Sequence, residues 1–473
     1  MGTGGAPLGP GVVGRGRQDL PRLRGPAPSC SNPPTVAVSV CSGPVPEGAV
    51  RTAIGRMTTE LTINGGPITT TGYLTWAPVP AQLRLTGGSA PGPVTVTLRN
   101  RTPTSSGQVI FSNDRTSSGT SSLTVSLAHD GTPSDVFIAG KFQRPSTKDR
   151  DATIEVIDAT SGVASSVTRL MVRVRKDAMA LTAGERARFV RALATLNDRG
   201  MGRFSEFPNI HNEAGSPEAH GNAGFLPWHR AFLLDLEREL QAIDASVTLP
   251  YWRFDRPAPN VFTRSFMGVP DASGTLRFQA SNPLQFWATD AIPGIVRRPL
   301  FNVKSEPARV ISETATLLLG GTTNTFDRFR DLEIDPHGAA HVSFTGFLRS
   351  IPTAARDPLF FMLHANVDRL WAKWQWLHRR FDLTSALTFA PLGSFGMPGT
   401  TRIGHNLGDT MWPWNQLTGG DRPPTAPGGT LPPSALTNAP GPSPKVSALI
   451  DYQGVITPGS WLGFDYDDVP FEA

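Results

Sequence analysis

Residues 220–241 read HGNAGFLPWHRAFLLDLERELQ. Phe232, Leu233, Leu236 and Leu240 recur at helical spacing and form one apolar stripe, with Arg230, Glu237 and Arg238 expected to turn outward. The segment predicts a helix over about 227–243. Two more are predicted at about 336–349 and 358–380. Each opens on an Asp-Pro pair, Asp335-Pro336 and Asp357-Pro358, an N-cap residue followed by proline at the first helical position. Upstream, Thr182 and Glu185 form a capping box ahead of Phe189, Leu193 and Leu196. Residues 176–473 therefore read as a mainly α-helical domain with a four-helix core and long Pro-rich loops. A linker-like stretch is expected at 420–445, and a short strand-like segment around Trp461 to Tyr466.

Before this region the period is two. Val36, Val38 and Val40 alternate with polar neighbours, as do Val94, Val96 and Leu98, then Leu123, Val125 and Leu127. Ile154 and Val156 continue the pattern, followed by Leu170, Val172 and Val174. Gly, Pro, Asn and Asp clusters separate the runs. Residues 35–175 are thus expected to form an all-β sandwich of the Ig-like kind. It holds no internal repeat and no catalytic cluster, and its histidine, His129, precedes an Asp130-Gly131 turn and is expected to be exposed. Residues 1–34 are Gly-, Pro- and Arg-rich without periodicity and read as a disordered tail.

The chain has 473 residues, against roughly 100–200 for a typical domain. Its 48 glycines and 44 prolines exclude an all-helical protein. The longest apolar run is Leu359 to Leu363, far short of the ~18 residues that cross a bilayer, so no membrane span is expected. Of the net charge of +5, Arg15, Arg17, Arg22 and Arg24 against Asp19 place most in the tail, which argues against a nucleic-acid partner. Cys30 and Cys41 exclude a disulfide-dense scaffold or a thiolate metal cluster; they could be bridged or free. The opening MGTGGAPLGPGVVGRGRQ has no apolar run of signal-peptide length, which leaves the compartment open. Oligomeric state is not legible.

The nine histidines are unevenly placed. His211, His220 and His229 are spaced by nine and nine. His337 and His341 stand four apart on one predicted helix, so both imidazoles leave the same face, and His364 lies on another helix beside Phe360, Val367 and Trp371. A neutral imidazole on an apolar stripe needs a partner for its nitrogens, which a metal ion supplies. The position after His337 is Gly338, where a zinc peptidase of HExxH type needs its glutamate base. The two triplets taken as ligands are all imidazole, a set that suits copper, zinc or nickel.

At these residues the sequence resembles the central domain of the tyrosinase and polyphenol oxidase family, the type 3 copper proteins. One matching segment is the quoted 220–241, where the family has a His, then FLPWHR, then an apolar helix. The other is PHGAAH (336–341) with DPLFFMLHANVDRLWAKWQ (357–375), close to the family's DPxFxxHHxxVDRLW. Phe464-Asp465-Tyr466 resembles the Tyr-x-Tyr element that closes the domain. The resemblance covers about 180–470 and does not extend to the β region.

The resemblance implies a dicopper site: His211, His220 and His229 for one copper, His337, His341 and His364 for the second. Dioxygen would be co-substrate and a small phenol the substrate. The expected activity is oxidation of o-diphenols to o-quinones; an o-aminophenol oxidase and a hemocyanin-like oxygen carrier are the alternatives. Of the family's His-His pair, only the second survives here, as Leu363-His364. Neither cysteine is near His220 in the chain, so the thioether link of many relatives is not expected. Glu333 matches the family's water-holding glutamate, while Gly338 stands where many relatives carry Asn. This combination implies o-diphenol oxidation over monophenol hydroxylation. Gly338, Val342 and Phe360 are the expected substrate-binding residues. His378 and His405 have no motif partner and are expected to be structural or exposed.

Overall fold

The computed structural model describes residues 57–87, 92–101, 103–116, 118–212, 216–391 and 403–472. The predicted tail at 1–34, the run Val36 to Val40 and both cysteines lie outside the described residues.

The two-residue period gives strands β1 (Thr58–Ile63), β2 (Gly66–Pro67), β3 (Tyr73–Leu74), β4 (Val79–Gly87), β5 (Val94–Asn100), β6 (Val109–Ser112), β7 (Ser122–Leu127), β8 (Ser134–Gly140), β9 (Ala152–Asp158) and β10 (Ala164–Val172). They form two five-stranded sheets, ordered β2-β1-β4-β8-β6 and β3-β10-β9-β5-β7. In β4, Val79, Ala81 and Leu83 are buried while Pro80, Gln82 and Arg84 face water, the alternation of a half-buried strand. Val96, Leu98, Ile154, Val156, Leu170 and Val172 fill the same core. His129 is exposed, as expected.

This β core is not closed by its own strands. Leu436, Trp461 and Phe471 enter it from the far end of the sequence. Trp76 N–H and Ala77 N–H both donate to Asp465 Oδ2, at 2.8 and 3.1 Å. The expected strand at 461–466 does not form; only a single bridge pairs Arg175 with Tyr466. The stretch 420–445 is no loose linker either, since Leu431 and Leu436 are buried and Arg238 donates to the carbonyls of Pro432 and Ala439.

The helical region is built on α1 (Ala183–Asn197), α2 (Phe225–Ile243) and α3 (Leu359–His378), with a short helical run over Ile334–Gly338 and Ala339–Val342. Thr182 and Glu185 make both halves of the capping box. Asp357 Oδ1 accepts from Leu359 N–H and so caps α3, while Asp335 does not cap: its backbone is extended and its carboxylate accepts from Ile311 N–H. The helix expected through 349 stops at Val342. The chain turns there into a strand, Phe344–Gly346, paired with Arg297–Pro299. Gly346 makes that approach possible, since a Cβ there would lie 2.1 Å from Val296 O.

The outward placement of Arg230, Glu237 and Arg238 is also overturned: all three are buried. Arg230 Nε donates to Asp368 Oδ1 at 2.7 Å, and Arg175 grips Glu237 (2.7 Å), Asp368 (3.1 Å) and the Tyr466 hydroxyl (2.8 Å). Periodicity assigns charge to the wet face, but charges buried on two helices compensate each other once paired. These bonds lock α2 against α3, where Phe232 also packs on Phe361 with ring centroids 5.2 Å apart.

Candidate metal centre

Each histidine is placed by a different local device. His211 ends the short helix Glu206–Ile210 and His220 follows the turn Ser216–Ala219. His229 sits on α2, His337 and His341 on the short helical run, and His364 on α3. The six converge as two trios, His211 with His220 and His229, and His337 with His341 and His364. Within each trio the ligand nitrogens lie within 4.8 Å of one another.

Backbone carbonyls orient four of the rings. The Nδ1 atoms of His211, His229, His337 and His341 bond to the carbonyls of Ile351 (3.2 Å), Phe225 (2.9 Å), Glu333 (2.7 Å) and Leu348 (2.7 Å). A carbonyl only accepts, so Nδ1 carries the proton and the Nε2 lone pair is free to point inward. His364 is set by packing instead, its ring against Phe360 at 4.1 Å and against His229 at 4.2 Å. Burial and the neighbouring rings hold His211, His229, His337 and His364 well below the usual imidazole range, and burial takes His341 down to about 4. The rings are neutral at neutral pH, as metal ligands must be.

The inward nitrogens test whether an ion fits. Nε2 of His211 and His229 lie 3.4 Å apart, and Nε2 of His364 lies 3.2 Å from both His337 and His341. Two nitrogens each ~2.0–2.1 Å from one ion at a near-tetrahedral angle stand about 3.3–3.4 Å apart. The carbonyl bonds commit the protons of His211, His229, His337 and His341 to Nδ1, so these four rings turn Nε2 lone pairs inward, spaced as ligands of an ion are. The residues fit a metal pair.

The trios open onto a cavity of about 370 Å³ whose wall includes His220, His337, Glu333, Gly338 and Val342. Val342 is exposed at its mouth. Glu333 Oε1 accepts from Gly221 N–H at 2.7 Å, and burial pushes its carboxyl up to about 7. Phe360 is fully buried beneath the histidines and is not on the cavity wall. His378 is half-buried. His405 is fully buried and bonds the loop that carries His220, a role no motif signalled. The anchoring carbonyls of Ile351 and Leu348 were equally unreadable, since every residue has one.

Comparison with known proteins agrees with this geometry. The tyrosinase family profile, "Common central domain of tyrosinase", matches residues 201–377, a span that contains all six histidines. A tyrosinase of Streptomyces antibioticus is 34% identical over 274 residues, covering 52% of this chain and 94% of the relative. Grixazone synthase of Streptomyces griseus is 28% identical over 309 residues, covering 53% and 96%. Among solved structures, a functional unit of octopus hemocyanin aligns over 63% of this chain and 69% of its own at 22% identity, with a TM-score of 0.41. With one-third identity across almost the whole of a curated relative and both trios inside the matched span, the chain belongs to the tyrosinase family.

Proposed function

We propose that His211, His220 and His229 hold one copper ion and His337, His341 and His364 a second, and that the chain uses dioxygen to oxidise o-diphenols to o-quinones. As a tyrosinase-family protein it is a copper-dependent oxidoreductase acting on small phenols. The observation that carries the reading is the convergence of six histidines as two trios, with Nε2 separations between His211 and His229 and from His364 to His337 and His341 that match ligation of an ion. Bound copper supplies reversible one-electron chemistry and open positions for dioxygen and phenol.

The chain's own groups do the rest. The carbonyl bonds to Nδ1 hold the rings in one tautomer and orientation, so the ligand geometry needs no rearrangement. Glu333 lines the cavity, as does Asp331, and its bond to Gly221 N–H fixes it where it can hold a water against an incoming phenol. Gly338 and Val342 leave the mouth open to a ring. Phe360 backs the imidazoles of His211 (4.6 Å) and His364 (4.1 Å) and keeps water from beneath them. The reading also takes residues 35–175 as an Ig-like sandwich domain and 176–473 as the oxidase domain, supported by the two stacked five-stranded sheets.

Oxygen uptake by the copper-loaded protein tests it, with a monophenol, its matching catechol and an o-aminophenol side by side. The catechol is expected to be turned over fastest. Two bound coppers with no uptake on any of the three would leave an oxygen carrier, and faster aminophenol turnover would move the substrate class.

A further inference from the structure

His220 stands outside any helix, on the loop 217–224 that runs from the short turn Ser216–Ala219 into α2. Besides the bond from Gly221 N–H to Glu333, a strap from elsewhere in the chain, residues 404–422, holds this loop. His405 reaches the loop at two points: its Nδ1 accepts from Gly224 N–H at 3.0 Å and its Nε2–H donates to the Pro217 carbonyl at 3.1 Å. Glu218, on the same loop and 4% exposed, accepts from Trp412 N–H at 2.9 Å and from Arg422 Nε at 2.6 Å. Asp409 Oδ2 accepts from the amides of Gly404 and Asn406, which shapes the turn that presents the imidazole.

Two glycines let the segments touch. A Cβ on Gly224 would lie 2.5 Å from Gly404 O and 2.6 Å from His405 Nδ1. One on Gly404, whose φ is +91°, would lie 2.7 Å from the Glu218 carboxyl. Nothing larger than hydrogen fits at either position, so the strap is built to bear on this loop.

We infer that His405, together with Glu218 and Arg422, is a positioning clamp for the first metal site, fixing the loop so that His220 completes its trio. This rests on the copper assignment above. The clamp acts on one site only: its hydrogen bonds reach residues 217, 218 and 224 and none of the residues of the second trio.

The test is copper retention by the full chain after dialysis against a chelator, with metal per chain measured by mass spectrometry and isolated Cu(II) by electron paramagnetic resonance. Wild type is expected to keep both ions. His405→Phe preserves ring volume, removes both bonds and is expected to release the first-site ion ~10–100-fold faster. His405→Asn, whose Oδ1 can still accept from Gly224, should restore part of the retention. Arg422→Met loosens the clamp from its far side and should shift release in the same direction, which covers a failure of His405→Phe to fold. In a His364→Gln background, where the first site holds the remaining ion, adding His405→Phe should empty the chain; in a His229→Gln background it should not. Wild-type retention in both His405→Phe and Arg422→Met, or equal loss from both sites, overturns the clamp. A wild-type chain that binds no copper pair overturns the copper assignment itself.

Discussion

His229 and His364 lie face to face, ring centroids 4.2 Å apart and planes 10° from parallel. One comes from each trio, on α2 and α3, so the spacing of the two metal sites is set by how those helices pack. Removing His364 breaks one site and leaves the other. His364→Gln is expected to bind one copper per chain in place of two and to lose more than roughly 100-fold in oxygen uptake. Metal analysis alongside the activity assay checks this, and a variant that still binds two would remove His364 from the ligand set.

Gly338 has φ −58°, and a Cβ placed there meets only Glu333 O, at 3.4 Å. Asn therefore fits the backbone and stands on the cavity wall beside Glu333, where its amide can share a water with the carboxylate. Gly338→Asn is expected to raise monophenol hydroxylation relative to catechol oxidation several-fold. An unchanged ratio in protein loaded with two coppers counts against this role for the position.

Asp235 is buried on α2, where its Oδ2 accepts from Trp414 Nε1 at 2.7 Å, and burial pushes its carboxyl up to about 7. The folded chain keeps this proton between about pH 4 and pH 7, where the unfolded chain, with an ordinary carboxyl near 3.8, has released it. Its contribution is therefore full below pH 4 and is lost as the pH rises through 7. Asp235→Asn keeps an acceptor for Trp414 and removes the titration. Relative to wild type the variant should gain up to about 4 kcal/mol between pH 4 and pH 8 by denaturant unfolding. A difference that does not change with pH would contradict it.

Arg175 is fully buried, bonded to Glu237, Asp368 and Tyr466 and laid over the Phe464 ring at 3.8 Å. Replacing it by Met strands the buried Glu237 carboxylate and leaves Asp368 to Arg230 and the Tyr466 hydroxyl, at a cost of about 3–5 kcal/mol. The exposed pair Arg84–Glu60 provides the contrast, since Arg84→Met should cost less than about 1 kcal/mol. Equilibrium unfolding of the two variants separates them, and similar small losses would show that the Arg175 network carries little.

Helices α2 and α3, the capping box and the strand alternation were legible in the sequence, because each is a local pattern of three to twenty residues. The six histidines were legible as two groups because their motifs are local as well. The burial of Arg230 and Glu237 was not, because Arg230's partner Asp368 lies 138 positions away and Glu237's partner Arg175 lies 62 away. Periodicity along one helix carries no information about a charge arriving from another. The end of the helix at Val342 depends on a strand pairing with Arg297–Pro299, and the function of His405 depends on a loop 188 residues upstream. Contacts of that range arise only once the chain has folded.

The sheets draw Leu436, Trp461 and Phe471 into their interior, and the amides of Trp76 and Ala77 bond to Asp465. A nascent chain emerges from the ribosome N-terminus first, and domains ordinarily fold in that order. Here the earliest strands must wait for nearly four hundred further residues before their core can shut. Folding of the β layer is therefore coupled to synthesis of the oxidase portion, and a chain stalled before Leu436 would present the open sheets to chaperones and proteases.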